Sequence, residues 1–250
     1  MIQIQPKYTE KEKWLDYAKK RTLRYEIIEF SFAYLNSEID NEQYEWYRNS
    51  GLSDSVHGVF IDNYPLSFND DIRKLSREHC EKSCRQAKMI GAENIVFHST
   101  ALPFVRAGQE RLWGRDAAEY YSFLAEKYDL NVYIENFNDI DYDPLLFMMQ
   151  NVQSEKVRIC LDIGHANYTR YSVGKWFEKL ADHIGYIHIS DNNGMFDDHK
   201  ILGTGNVDFL SADDFYAKKN GNIPLTIEVS SLNGLDESIL FLEKNHLFGF

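Results

Sequence analysis

Eight short apolar runs rich in β-branched and aromatic residues alternate along the chain with eight longer segments of helical period, and this alternation restricts the fold more than any other feature. The runs fall at 2–5, 25–30 (YEIIEF), 55–60 (SVHGVF), 94–98 (NIVFH), 131–135 (NVYIE), 157–162 (VRICLD), 185–189 (GYIHI) and 224–229 (PLTIEV). The helical segments fall at 10–21, 41–49, 70–89, 109–128, 143–150, 173–180, 213–219 and 235–245. Strict β/α alternation calls for a parallel sheet with crossover helices. Eight units in 250 residues match a closed (β/α)8 barrel. No Gly/Ser-rich linker or shift of composition marks a second domain, so the expectation is one barrel over residues 1–250.

In a barrel of this kind the active site is built where the strands end, at their C-terminal face. The runs end on or beside metal-ligand side chains: His57, His98, Glu135, Asp162 with His165 three residues on, His188, and Glu228. Asp197 and His199 follow in an irregular, glycine-bearing segment after the seventh run. A lone histidine at a strand end is most often a packing residue, and a carboxylate there is most often a helix cap. Jointly the pattern says more, because five of the eight histidines sit at strand ends or in the adjoining loop and only His79, His183 and His246 do not. Glu135 and Glu228 lie in otherwise apolar runs, where an ionised carboxylate is costly unless it is paired or metal-bound. Imidazole and carboxylate without thiolate suit Zn or Mn, and equally Fe or Co. Cys160 shares the face of Asp162 one layer deeper and reads as core filler. With Cys80 and Cys84 one helical turn apart, the three cysteines form no disulfide framework.

The segments NIVFHST (94–100), VYIEN (132–136), CLDIGHAN (160–167), YIHISDNNGMFDDHKILGTGNVDF (186–209) and LTIEVS (225–230) resemble the xylose isomerase-like barrel superfamily of sugar isomerases, epimerases and endonuclease IV. The resemblance implies a one-metal site at Glu135, Asp162, His188 and Glu228, with Glu135 and Glu228 as the catalytic proton carriers. It further implies that His57, His98, His165, Asp197 and His199 bind substrate or additional metals, giving one to three divalent ions per chain. The implied activity is isomerisation or epimerisation of a small sugar, polyol or keto-sugar through an enediolate. The rival activities are multinuclear phosphodiester hydrolysis and a lyase using the same enediolate.

Two departures weigh against the endonuclease branch: Asp198 stands where a phosphate-facing arginine would be expected, and Gly203-Thr204-Gly205 replaces a Gly-Glu-Gly motif. A net charge of −12 also disfavours nucleic acid as a partner. The expected partner is a small sugar-type molecule, with no membrane contact and no oligomeric state implied. Arg106, Trp113 and Tyr64 are candidate substrate contacts, with Phe104 as a further aromatic and Arg111 and Arg115 as further cations. The N-terminus carries no apolar leader and no run reaches the roughly 18 apolar residues of a membrane span, so a cytoplasmic protein is expected.

Overall fold

The computed structural model describes residues 1–32, 40–101 and 108–250. Eight strands close into a parallel barrel in sequence order: β1 Ile2–Ile4, β2 Arg24–Ile27, β3 Ser53–His57, β4 Asn94–His98, β5 Asn131–Glu135, β6 Val157–Asp162, β7 Ile184–Ile189 and β8 Leu225–Ile227. The seam is the pairing of β1 with β8, where Ile4 lies opposite Ile227. The connecting helices are α1 Lys11–Arg21, α2 Asn41–Ser50, α3 Asp70–Ile90, α4 Gln109–Tyr128, α5 Asp143–Met149, α6 Ile163–Asn167, α7 Val173–Leu180, α8 Phe209–Lys218 and α9 Leu232–Asn245. Among the described residues no helix is long and apolar enough to cross a membrane.

Period-2 alternation in the strands separates two environments. On β4, Ile95 and Phe97 join the large cluster that packs strands against helices, while Val96 joins Tyr133, Cys160 and Tyr186 in a small separate cluster inside the barrel. That inner cluster is the floor beneath the strand ends. Cys160 lies in it fully buried, and its Sγ also comes within 4.8 Å of ligand atoms of Glu135 and His188, a contact its reading as core filler did not foresee.

Caps set the helix boundaries. Asn69 accepts hydrogen bonds from the Asp71 and Ile72 amides to start α3, and Gly91 ends it in the left-handed region at φ 81°. Two helices begin earlier than their apolar periodicity indicates. Asp208 caps α8 through the Ser211 amide, and Ser231 caps α9 through the Gly234 amide. The third strand stops at His57 rather than 60, and at Gly58 the chain runs so close to β4 that a Cβ there would lie 2.3 Å from the Phe97 ring. The one-and-a-half-turn helix α6 carries no periodicity signal. It forms because Asp162, the last residue of β6, accepts the His165 amide as its N-cap.

Candidate metal centre

Barrel register brings the strand-end side chains into contact. His98 pairs in register with Glu135, and Asp162 with His188, so β4, β5, β6 and β7 deliver adjacent ligand types to one level. Glu228 follows β8 directly. One ligand atom from each of Glu135, Asp162, His188 and Glu228 lies within 4.8 Å of the other three, and all four residues are buried. Asn136 ties β5 to β6 by donating to the Asp162 carbonyl at 3.0 Å and accepting the Asp162 amide at 2.8 Å.

A second group shares Glu135. The Nε2 atoms of His57 and His98 lie 3.3 and 3.5 Å from Glu135 Oε2. Three aromatic rings wall this side: Phe60 lies 5.0 Å from the His57 ring, Phe137 stacks on His98 at 4.3 Å, and Tyr168 lies 6.0 Å from His165.

The third group stands at the open mouth. His165 Nε2 and His199 Nε2 converge on Asp197 Oδ2 at 3.2 and 3.0 Å. Asp197 and His199 ride on a hairpin closed by the two-way backbone pairing of Asp191 with Lys200. The buried Asp191 carboxylate anchors that loop by accepting four amides, those of Asn192, Gly203, Gly205 and Val207, at 2.8 to 3.2 Å. Gly205 is required there, since a Cβ would sit 2.2 Å from the Asn192 carbonyl oxygen.

The histidine hydrogen bonds reveal what the site is arranged to hold. A backbone carbonyl only accepts, so the Nδ1 atoms of His57, His165 and His199, paired with the carbonyls of Gly58, Asn136 and Glu228, carry the protons. Nε2 of each ring therefore faces a carboxylate, donating to it when the ring is protonated and presenting a lone pair when it is neutral. His188 is reversed: Nε2 donates to Glu26 Oε2 at 2.9 Å, and Nδ1 faces Glu135 Oε1 and Glu228 Oε1 at 3.4 and 3.3 Å. His188 Nδ1, Glu135 Oε2 and Asp162 Oδ2 are buried without any hydrogen-bond partner. Buried acceptors without a donor are unfavourable alone and become favourable beside a divalent cation, so these residues fit such an ion.

Charge balance agrees. Burial alone would raise the Glu135 carboxyl, but the rings of His188 and His98 with the hydrogen bonds of His165 and His188 hold it well below the usual range. Burial, added to the charges of Glu228 and Glu135, pushes Asp162 up to about 7 despite His165. Burial also keeps His98 neutral by lowering it. At His165 and His188 the surrounding acceptors outweigh burial and lift the imidazoles well above their ordinary value, and His199 rises to about 10. Without metal, protons on these rings balance the carboxylates, and a divalent cation would replace them.

All nine residues expected at the barrel mouth meet there. The expected substrate contacts do not join them. Tyr64 and Trp113 line an adjacent apolar groove of about 330 Å³ with Leu66, Phe68, Ile72 and Leu112. Arg111 lies over the Phe147 ring and Arg115 pairs with Asp116, both on α4. Arg106 and Phe104 lie outside the described residues. Sequence reasoning passed over Glu26, Gln5, Asn136 and Asp191, as well as the three wall aromatics. Glu26 carried a readable signal, a carboxylate inside an apolar run like Glu135. Phe60, Phe137 and Tyr168 each follow a site residue by two or three positions.

The chain belongs to the xylose isomerase-like TIM barrel family, whose pattern matches residues 19–245. Among individual proteins it is similar to the uncharacterized protein MJ1311 of Methanocaldococcus jannaschii, with 32% identity over 62% of this chain and 57% of that protein. The match thus spans little more than half the length of that relative. Two solved structures share the fold: a Thermus thermophilus protein, TTHB071, soaked with ZnCl2, and D-psicose 3-epimerase of Clostridium cellulolyticum with D-tagatose. The first has TM-score 0.77 and 21% identity, covering 97% of this chain and 96% of that one. The second has TM-score 0.75 and 16% identity, covering 100% and 99%.

Proposed function

We propose that the protein is a metal-dependent isomerase or epimerase of a small keto-sugar or polyol. The observation that carries this reading is the pair of buried glutamates, Glu135 and Glu228, meeting in one four-residue group with Asp162 and His188. A divalent cation held by those four, Zn or Mn by ligand type, would supply Lewis acidity to adjacent carbonyl and hydroxyl oxygens of the substrate. One glutamate takes the proton from the carbon beside the carbonyl, and the other returns one to the enediolate from the opposite face. Phe60, Phe137 and Tyr168 exclude water from that side of the pocket. The known epimerase of the same fold supports a sugar-type substrate. Expulsion of a leaving group from the carbon next to the enediolate, in place of the returned proton, would make the same chemistry that of a lyase.

A second reading is favoured by a separate observation. The His57–His98–Glu135 and His165–Asp197–His199 groups flank the central one, giving a donor set large enough for three ions and for phosphodiester hydrolysis. Against it, among the described residues no lysine or arginine ion-pairs with any of the nine, and Lys200 at the mouth is engaged by Asp198 at 3.3 Å.

Incubation with keto-sugars and inososes in heavy water decides between them. Proton shuttling places deuterium on the carbon beside the carbonyl, whereas hydrolysis labels no carbon. Metal atoms per chain are counted in parallel. No carbon label across the panel, together with metal-dependent cleavage of a phosphodiester, would replace the first reading with the second.

A further inference from the structure

Glu26 is a carboxylate with no exposure, set in the barrel interior at β2, a strand that contributes none of the nine residues at the mouth. Four donors converge on it. Oε2 accepts from Tyr186 Oη at 2.6 Å, His188 Nε2 at 2.9 Å and Thr226 Oγ1 at 3.0 Å, and Oε1 accepts from Gln5 Nε2 at 3.0 Å. The same Gln5 amide donates its other hydrogen to Glu228 Oε1 at 2.7 Å. Among the described residues no lysine or arginine pairs with Glu26. A buried carboxylate without a lysine or arginine partner, below a cluster that already holds Glu135, Asp162 and Glu228, is expensive to maintain as packing alone.

Each contact has a directional consequence. A carboxylate can only accept, so His188 Nε2 must carry hydrogen and the ring must present Nδ1 to the central group. A glutamine amide has two hydrogens, and here both go to carboxylates. Gln5 therefore fixes Glu228 in the rotamer whose Oε1 lies 3.3 Å from His188 Nδ1. One side chain thus orients two of the four central residues, His188 directly and Glu228 through Gln5.

We infer that Glu26 is the positioning residue of the central metal site, selecting Nδ1 of His188 as the ligand atom and, through Gln5, holding Glu228 in place. This rests on the metal reading of the site. Its direct reach is the central group: among the described residues no hydrogen bond or ion pair links Glu26 or Gln5 to His57, His98, His165, Asp197 or His199.

Glu26→Gln is the sharpest test, because the substitution keeps size and cannot keep the network. With its oxygen toward His188, Tyr186 and Thr226, its NH2 faces the Gln5 NH2. Turning Gln5 to relieve that contact points the Gln5 carbonyl at Glu228. The measurements are Zn2+ affinity of metal-free protein by chelator competition, the visible spectrum of the Co2+-loaded protein, and ring 15N shifts of His188 in the Zn2+ form. Glu26→Gln is expected to weaken Zn2+ binding about 10- to 100-fold, as loss of a partner to a metal-ligating histidine does elsewhere. It should also alter the Co2+ spectrum and shift the ring 15N resonances of His188, because a neutral amide oxygen is a weaker acceptor for Nε2–H than a carboxylate. Gln5→Met, at a partly exposed position, removes only the link to Glu228 and should weaken Zn2+ binding while leaving the His188 tautomer intact. It also decides the matter if Glu26→Gln fails to fold. Wild-type Zn2+ affinity and unchanged spectra in the folded variants would overturn the inference. If instead wild-type protein binds no Zn2+, or Glu135→Gln leaves binding untouched, the metal reading itself falls.

Discussion

Asp191→Asn tests whether a single buried carboxylate holds the mouth of the site together. Its two oxygens serve two pairs of amides: Oδ1 those of Asn192 and Val207, Oδ2 those of Gly203 and Gly205. Asparagine keeps one oxygen, so whichever way its amide turns, two backbone N–H groups face an NH2 group. Hydrogen bonds to a charged acceptor contribute about 1.5–3 kcal/mol each, so the loss is roughly 3–6 kcal/mol. The cost falls locally, because β5, β6, β7 and β8 hold the central group without the hairpin. Local opening of segment 192–207 should therefore become easier by roughly two to four powers of ten, at 1.4 kcal/mol per tenfold. Amide hydrogen exchange is the assay. The amides of residues 203, 205 and 207 should exchange faster by that factor while those of β5–β7 keep their protection, and metal held by His165, Asp197 and His199 should be lost before metal held by the central group. Wild-type protection at 203, 205 and 207, or an equal loss of protection throughout the barrel, would refute the reasoning.

Glu135→Gln and Glu228→Gln should each abolish turnover and weaken metal binding with the fold retained; near wild-type activity in either would remove the proton-carrier assignment. Glu135→Gln should be the more damaging for metal content, since Glu135 belongs to both the central and the His57–His98 groups whereas Glu228 belongs to the central one alone. Metal affinity should rise with pH, because His165 and His188 sit well above their ordinary value and His199 near 10 in metal-free protein, so binding must displace their protons. A histidine raised in the folded chain adds stability that is complete below about pH 6.5 and disappears as the pH climbs through the raised value. Metal-free protein should thus lose that contribution between about pH 6.5 and 10, and the melting-temperature gap between metal-loaded and metal-free protein should widen across this range; a constant gap would contradict the proton balance. Gly205→Ala, forcing a Cβ to within 2.2 Å of a backbone oxygen, should cost about 1–3 kcal/mol and loosen the same hairpin, which thermal melts and exchange at 203–207 would detect.

The amino-acid sequence alone carried the barrel and most of its mouth. Strand period and helix period are local properties, so eight runs and eight helical segments were legible, with β4, β5, β6, α4 and α7 matched to the residue. The nine residues at the mouth were legible for a related reason: in a parallel barrel every strand ends at the same face, so marking strand ends marks the site.

What the sequence could not contain was which side chains meet across the barrel. Glu26 and His188 lie 162 positions apart and Gln5 and Glu228 lie 223 apart, and only closure of β1 and β2 against β7 and β8 brings each pair within hydrogen-bond reach. Closure and shear likewise decided that Glu135 faces both the central and the His57–His98 groups, and that His188 presents Nδ1 where His57, His165 and His199 present Nε2. These outcomes depend on register between strands remote in the chain. Period tells which face a residue takes, but the partner across that face is set by the pairing of strands, which no local run encodes.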